Sequence, residues 1–123
     1  MSTAVVGASG LGKTRTLIQI FEENEVSYLF VRSLEDLREY EEQQHIIFDD
    51  CDFQFKSPEQ VIGLVDCEYP TTVRILRQAI TIQPETYKWF LTNTIRCLQP
   101  IRATAEQQVA INRRLTVLQA LGS

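Results

Sequence analysis

The stretch Gly7–Thr14, GASGLGKT, constrains the fold of this chain more than any other. It satisfies the pattern GxxxxGK[ST] at every required position and stands where that pattern needs to stand, between a strand and a helix. Before it, TAVVG is a β-branched apolar run that reads as a buried strand. After it, KTRTLIQIFEEN puts Leu17, Ile18, Ile20 and Phe21 on one helical stripe. Glycines let backbone N–H groups converge on an anion, and the helix N-terminus adds a favourable dipole. Gly7, Ala8, Ser9, Gly10, Leu11, Gly12, Lys13 and Thr14 are therefore expected to wrap the phosphates of ATP. Lys13 is expected to reach the β- and γ-phosphates, and Thr14 to give its hydroxyl to Mg²⁺.

The elements that follow extend the same design. SYLFVR (Ser27–Arg32) reads as a strand, and Ser33 with Asp36 forms a capping box for an acidic helix from Leu34 to about Gln43. HIIFDD (His45–Asp50) is a third strand, apolar until its two carboxylates. Ser57-Pro58-Glu59-Gln60 opens a helix to about Cys67. Thr71–Gln83 alternates and is β-branched, which predicts a hairpin turning near Leu76–Gln78. Tyr87–Asn93 is a further strand, Thr104 caps a helix over TAEQQVAI, and RRLTVLQAL closes as a strand. The expected fold is α/β of the P-loop NTPase type. It is a three-layer sandwich with a mostly parallel sheet and an inserted β-hairpin, in one domain over residues 1–123.

Charge is unevenly spread along the chain. Glu22–Asp50 carries ten acidic and two basic residues, whereas Thr71–Ser123 carries seven basic and two acidic ones. Such asymmetry suggests polarised contacts, including contacts between copies of the chain. No apolar run is long enough for a membrane span, and no basic region precedes the first apolar stretch. Cys51, Cys67 and Cys97 have no ligand-like spacing and read as reduced, buried thiols in an intracellular setting.

Phosphoryl transfer needs a second acidic element beside the loop. Asp49, at the end of IIFDD, is expected to support Mg²⁺ through its water shell. Asp50, facing the other way, is expected to orient and polarise an attacking water. Asn93, ending WFLTN, can hold the same water or sense the γ-phosphate. Arg113 and Arg114 are adjacent, so their side chains diverge. One of them can offset transition-state charge in a neighbouring subunit while the other makes a structural pair.

In order along the chain, GASGLGKT, IIFDD, YPTTVRILRQAITI, FLTN and INRRL resemble superfamily 3 helicases, members of the broad AAA+ group of ring ATPases. The likeness is to the helicase domain of replication initiator (Rep) proteins from small circular single-stranded DNA viruses, circovirus-like, and it spans essentially the whole chain. The resemblance implies an ATP- and Mg²⁺-dependent DNA helicase core acting in rolling-circle replication, with a hexameric homo-oligomer holding ATP between subunits. It implies that Lys13, Asp50, Asn93, Arg113 and Arg114 are catalytic and that Thr14 and Asp49 serve the metal. It also implies single-stranded DNA as partner, contacted by Arg77 and Arg74 on the hairpin, and a host-nuclear location. The hairpin tip ILRQA lacks the glycines common in relatives. Relatives also carry a nicking endonuclease domain and a small helical oligomerisation segment. A chain starting just before the loop is expected to lack both, and so could be monomeric. Two other readings stay open: a small P-loop kinase with TIRCLQPIRATAEQQ as its lid, and a nucleotide-dependent assembly or loading module without efficient turnover.

Overall fold

A computed structural model describes residues 1–8 and 12–120. Its elements are β1 (Ser2–Val6), α1 (Lys13–Glu23), β2 (Tyr28–Val31), β3 (His45–Phe48), α2 (Pro58–Val65), β4 (Thr71–Ile75), β5 (Gln78–Ile82), β6 (Tyr87–Thr92), α3 (Ala105–Arg114) and β7 (Leu115–Gln119). Two short 3₁₀ segments, Leu34–Glu39 and Ile95–Leu98, complete the described chain. The fold is α/β: a five-stranded sheet in the order β2-β3-β6-β1-β7, every pair parallel, with β4 and β5 as a separate antiparallel pair.

Parallel strands buried on both faces need apolar residues at successive positions, and the sheet divides them by parity. Ala4, Val6, Leu29, Val31, Ile46, Phe48 and Phe90 point to one face. They join Val61, Leu64 and Val65 of α2, Ile111 of α3, and Val73, Ile75 and Ile82 of the hairpin in one core. Phe48 and Phe90, on neighbouring strands, stack with ring centroids 4.8 Å apart. The opposite face packs Ile47 and Leu91 against Leu17 and Phe21 of α1. Lys88 interrupts the apolar run of β6 and is 1% exposed. Its Nζ donates to the Asp66 carbonyl at the C-terminal end of α2 (2.8 Å), where the helix dipole favours a cation. Burial holds its pKa below the usual lysine value.

Besides shifts of one or two residues at the ends of β2, α2 and β6, three boundaries differ from expectation. The acidic segment after β2 is a 3₁₀ turn that stops at Glu39 rather than a helix to Gln43. Tyr40 leaves it in an extended conformation, and its hydroxyl bonds Thr86 (2.7 Å) while accepting from the Gln83 N–H (3.1 Å). That anchor draws the chain to the sheet, and the crowded carboxylates Glu39, Glu41 and Glu42 give a helix no reason to continue. β3 ends at Phe48, two residues early, because Asp49 and Asp50 form the turn that leaves the sheet. The final strand starts at Leu115, not Arg113. Arg114 donates from Nη1 to the Ala110 carbonyl (2.7 Å) and stays in the last turn of α3, where a cation complements the helix dipole. Leu121, expected as the end of that strand, lies outside the described residues.

The capping box at Ser33 is present as predicted. The Asp36 carboxylate accepts from the backbone N–H groups of Arg32 (2.9 Å) and Ser33 (3.2 Å), and those two bonds hold its pKa below the ordinary carboxylate value. A depressed folded pKa means that Asp36 contributes its full stability above about pH 4 and loses it as pH falls through the lower folded value. Thermal unfolding followed between pH 2 and 6 is expected to show a shallower acid-side fall for Asp36→Ala than for the parent.

Candidate functional site

Because the strands are parallel, the C-terminal ends of β1, β6 and β3 lie at one edge of the sheet. In register, Val6 lies beside Thr92 and Phe48 beside Phe90. The loop after β1, the Asp49–Asp50 turn after β3 and Asn93 after β6 therefore share one end of the molecule. The strand order places β6 between the loop strand and the acid strand.

α1 begins at this edge. Its N-cap, Gly12, has φ +74°, a left-handed conformation that suits glycine. The cap offers no side-chain acceptor to the first-turn N–H groups, and no acidic residue lies in the first turn, so this end of α1 favours an anion. Lys13 Nζ donates to the carbonyls of Gly7 (2.6 Å) and Ala8 (3.1 Å). Gly7 N–H in turn donates to the Thr92 carbonyl (3.1 Å), fastening the start of the loop to β6. Ser9, Gly10 and Leu11 lie outside the described residues.

Thr14 meets the acid strand directly, its hydroxyl donating to Asp49 Oδ1 at 2.5 Å. Thirty-five positions separate the two in sequence, and the sheet brings them together. The Asp49 N–H donates to the Val31 carbonyl (2.8 Å) as the chain leaves β3. Asp50 is exposed, with φ +47°. That conformation is uncommon outside glycine, asparagine and aspartate, and it turns the second carboxylate away from the strand. A cleft of about 330 Å³, lined in part by Asp49, Asp50, Arg32, Phe53 and Lys56, opens beside both acids.

The turn carrying the acids is tied to the strand that ends in Asn93. The Cys51 N–H donates to the Leu91 carbonyl (3.1 Å), and the buried Thr92 hydroxyl reaches the carbonyls of Cys51 and Thr94 (3.2 Å each). Asn93 itself is exposed just past β6. Burial pushes the Cys51 thiol far above its ordinary value, with Cys97, Asp50 and Asp52 adding to the effect, so Cys51 is an inert neutral group. Asp52 accepts from the Gln54 backbone and side chain (3.1 Å each), a local turn rather than a free acid.

The arginine pair lies elsewhere. β7 pairs with β1 from Leu115 opposite Ser2 to Gln119 opposite Val6, so Arg113 and Arg114 sit at the N-terminal edge of the sheet. About 13 Å of strand separates that edge from the loop, so neither guanidinium reaches the loop of its own chain. The two differ in surroundings. Arg114 is partly buried, bonded to Ala110 and 4.0 Å from Asp66 Oδ1. Arg113 is exposed and makes no ion pair among the described residues.

The predicted hairpin is present, turning at Leu76–Arg77 between Ile75 and its partner Gln78. Val73, Ile75 and Ile82 face the core, leaving Thr72, Arg74 and Thr81 exposed on the other face and Arg77 exposed at the tip. Leu76 is 76% exposed and has φ +53°, a conformation costing a leucine about 1–2 kcal/mol. Leu76→Gly is expected to stabilise the chain by about 1 kcal/mol, read as a raised unfolding midpoint in urea. An unchanged or lowered midpoint would show that the turn is not strained.

Sequence reasoning missed Thr92, whose role is a bond to a turn 41 residues earlier, and Asp66 as the partner of Arg114. Thr92 stands within WFLTN, but no local pattern marks its partner, and Asp66 belongs to no local pattern. The donors at the site are hard oxygens, Thr14 and Asp49. Among the described residues no group of three or more His, Cys, Asp or Glu side chains could form a protein cage for a metal. That donor set fits Mg²⁺, which is held by one or two protein oxygens together with water and phosphate. No described helix is long and apolar enough to cross a membrane. The chain matches no protein-family model and no curated protein.

Proposed function

We propose that this chain is the ATP-hydrolysing core of a ring-forming, single-stranded DNA helicase of the superfamily 3 type, working in viral rolling-circle replication. The observation that carries the proposal is the Thr14–Asp49 contact beside a central strand ending at Asn93. Loop hydroxyl, acid pair and strand-end amide share one edge of a P-loop-like sheet.

In this mechanism the phosphates of ATP lie on the N-terminus of α1. Lys13 leaves two neutral carbonyls for charged phosphate oxygens, the stronger acceptors. Thr14 and Asp49 would hold Mg²⁺, which would supply positive charge to offset that of the triphosphate. Asp50 accepts a hydrogen bond from the attacking water, and Asn93 fixes its second direction. The water oxygen bonds to the γ-phosphorus as the bond to the ADP oxygen breaks, and the water proton is released to the Asp50 side. The charge spread over the transferring group is offset by Arg113 of an adjacent copy, since no arginine of the pair reaches the loop in cis. Arg114, tied to Ala110 and Asp66, holds the end of α3 that presents Arg113. The hairpin meets DNA through Arg74 and Arg77, which contact backbone phosphate without choosing sequence.

The test is phosphate release from ATP with and without single-stranded DNA. Stimulation by DNA, lost in an Arg74→Ala/Arg77→Ala double variant, is the expected result. Turnover that depends on a nucleoside acceptor and ignores DNA would overturn the proposal in favour of a kinase.

A further inference from the structure

Between α1 and the C-terminal end of β7 runs a groove of about 220 Å³ that the proposed mechanism leaves unused. Its α1 wall is Thr16, Leu17 and Ile20, with Lys13 at the loop end, the i, i+3, i+4, i+7 spacing of one helix side. Its floor is Val5 and Leu91, which are register partners on β1 and β6, and Ala120 closes it beyond β7. The Ala120 N–H donates to the Val6 carbonyl (2.7 Å), so the groove starts at the foot of the phosphate loop. Apart from Lys13, the described side chains that line it carry one polar atom, the Thr16 hydroxyl.

We propose that this groove takes the nucleobase of the triphosphate held by the loop, and that it takes different bases with little preference. The inference rests on the nucleotide reading of the loop and adds where the base lies and how it is read. Direction is the first argument. The acids that handle the γ-phosphate lie on the β6–β3 side of β1, whereas β7 lies on the other side. A triphosphate with its γ end at Asp49 and Asp50 therefore delivers its nucleoside toward β7, where the groove opens. Size is the second. At about 220 Å³ the groove falls below the ~300–1,000 Å³ of pockets that enclose a whole ligand, and it suits one flat ring system attached to phosphates bound outside it. Chemistry is the third. Ile20 is 47% exposed, an apolar surface that a base can cover. A wall with a single hydroxyl cannot read the distinct hydrogen-bonding edges of adenine and guanine, and apolar pockets discriminate weakly between similar shapes.

The experiment is titration calorimetry with Mg²⁺ and three probes, ATP, GTP and inorganic triphosphate. It compares the parent chain with Ile20→Ser, Ile20→Trp and Lys13→Ala. ATP and GTP are expected to bind the parent within about tenfold of each other. Ile20→Ser, which strips the apolar wall, and Ile20→Trp, which fills the groove, should each weaken both nucleotides about tenfold. Inorganic triphosphate, which has no base, should bind both variants as it binds the parent, and this also shows their loops to be intact. Unchanged ATP affinity in both Ile20 variants would overturn the proposal, as would equal weakening of all three probes or an ATP-to-GTP preference above about 100-fold. Failure of the loop reading looks different: Lys13→Ala would then leave all three affinities unchanged.

Discussion

Asp50→Asn is expected to lower ATP turnover by about a thousandfold while leaving ATP affinity within about twofold of the parent. The reason is geometric. Asp49 accepts from Thr14 at the loop, so the binding half of the site does not depend on its neighbour. Asp50, turned outward by its left-handed backbone, is the acid free to meet a water. Asparagine keeps the size and tolerates that backbone conformation, so the change isolates the loss of a negative acceptor. Lys13→Ala should behave oppositely. It removes the ammonium that donates to phosphate oxygens and should cost about 100-fold in ATP affinity, with turnover falling as a consequence. Single-turnover hydrolysis alongside equilibrium binding separates the two effects. Equal losses of affinity in both variants would contradict the division of labour between Lys13, which binds, and Asp50, which acts on the water.

The second large effect concerns the arginines. Arg113→Ala is expected to reduce turnover by about a thousandfold or more, with ATP affinity and thermal stability close to those of the parent. Arg113 is exposed and unpaired among the described residues, so its loss disturbs nothing within its own chain. Arg114→Ala should instead lower stability by about 1 kcal/mol, because the Ala110 carbonyl loses a charged donor in the last turn of α3 and Asp66 loses its partner. Its effect on turnover should be smaller. Mixing separates cis from trans: Asp50→Asn with Arg113→Ala should recover activity, since a mixed interface can combine an intact acid with an intact arginine. No recovery at any ratio would place both groups in one chain's site.

Much of the architecture is legible in the residues. The loop, the apolar strands and the helix caps at Ser57 and Thr104 each rest on a short local pattern; both hydroxyls accept from the N–H three residues on, while the reciprocal glutamine bond of a capping box forms at Thr104 and not at Ser57. The alternating hairpin is equally plain, though its turn uses a leucine where a glycine is the easier residue. What local pattern does not reveal is how elements end. Tyr40 terminates the acidic segment by bonding to Thr86, and no signal near Leu34–Gln43 announces that partner. Ile95–Leu98 forms a short 3₁₀ turn with Leu98 buried, within the segment that a kinase reading would take as its lid.

The site divides in the same way. Residue types and order point to Thr14, Asp49, Asp50 and Asn93, but only the strand order puts Thr14 in contact with Asp49. Adjacent arginines in sequence are equivalent. In the fold, one is pinned to Asp66 and Ala110, and the other is left outward at the far edge of the sheet. The groove beside Ile20 is a product of tertiary packing, since α1 and β7 lie far apart along the chain.

The central claim is that a nucleotide bound at Gly7–Thr14 is hydrolysed with help from a second copy of the chain. The most direct test is the ATPase rate per molecule measured across a wide range of protein concentration, with and without single-stranded DNA. A rate per molecule that climbs steeply with concentration, and climbs at lower concentration when DNA is present, is the predicted result. A flat rate per molecule would contradict it.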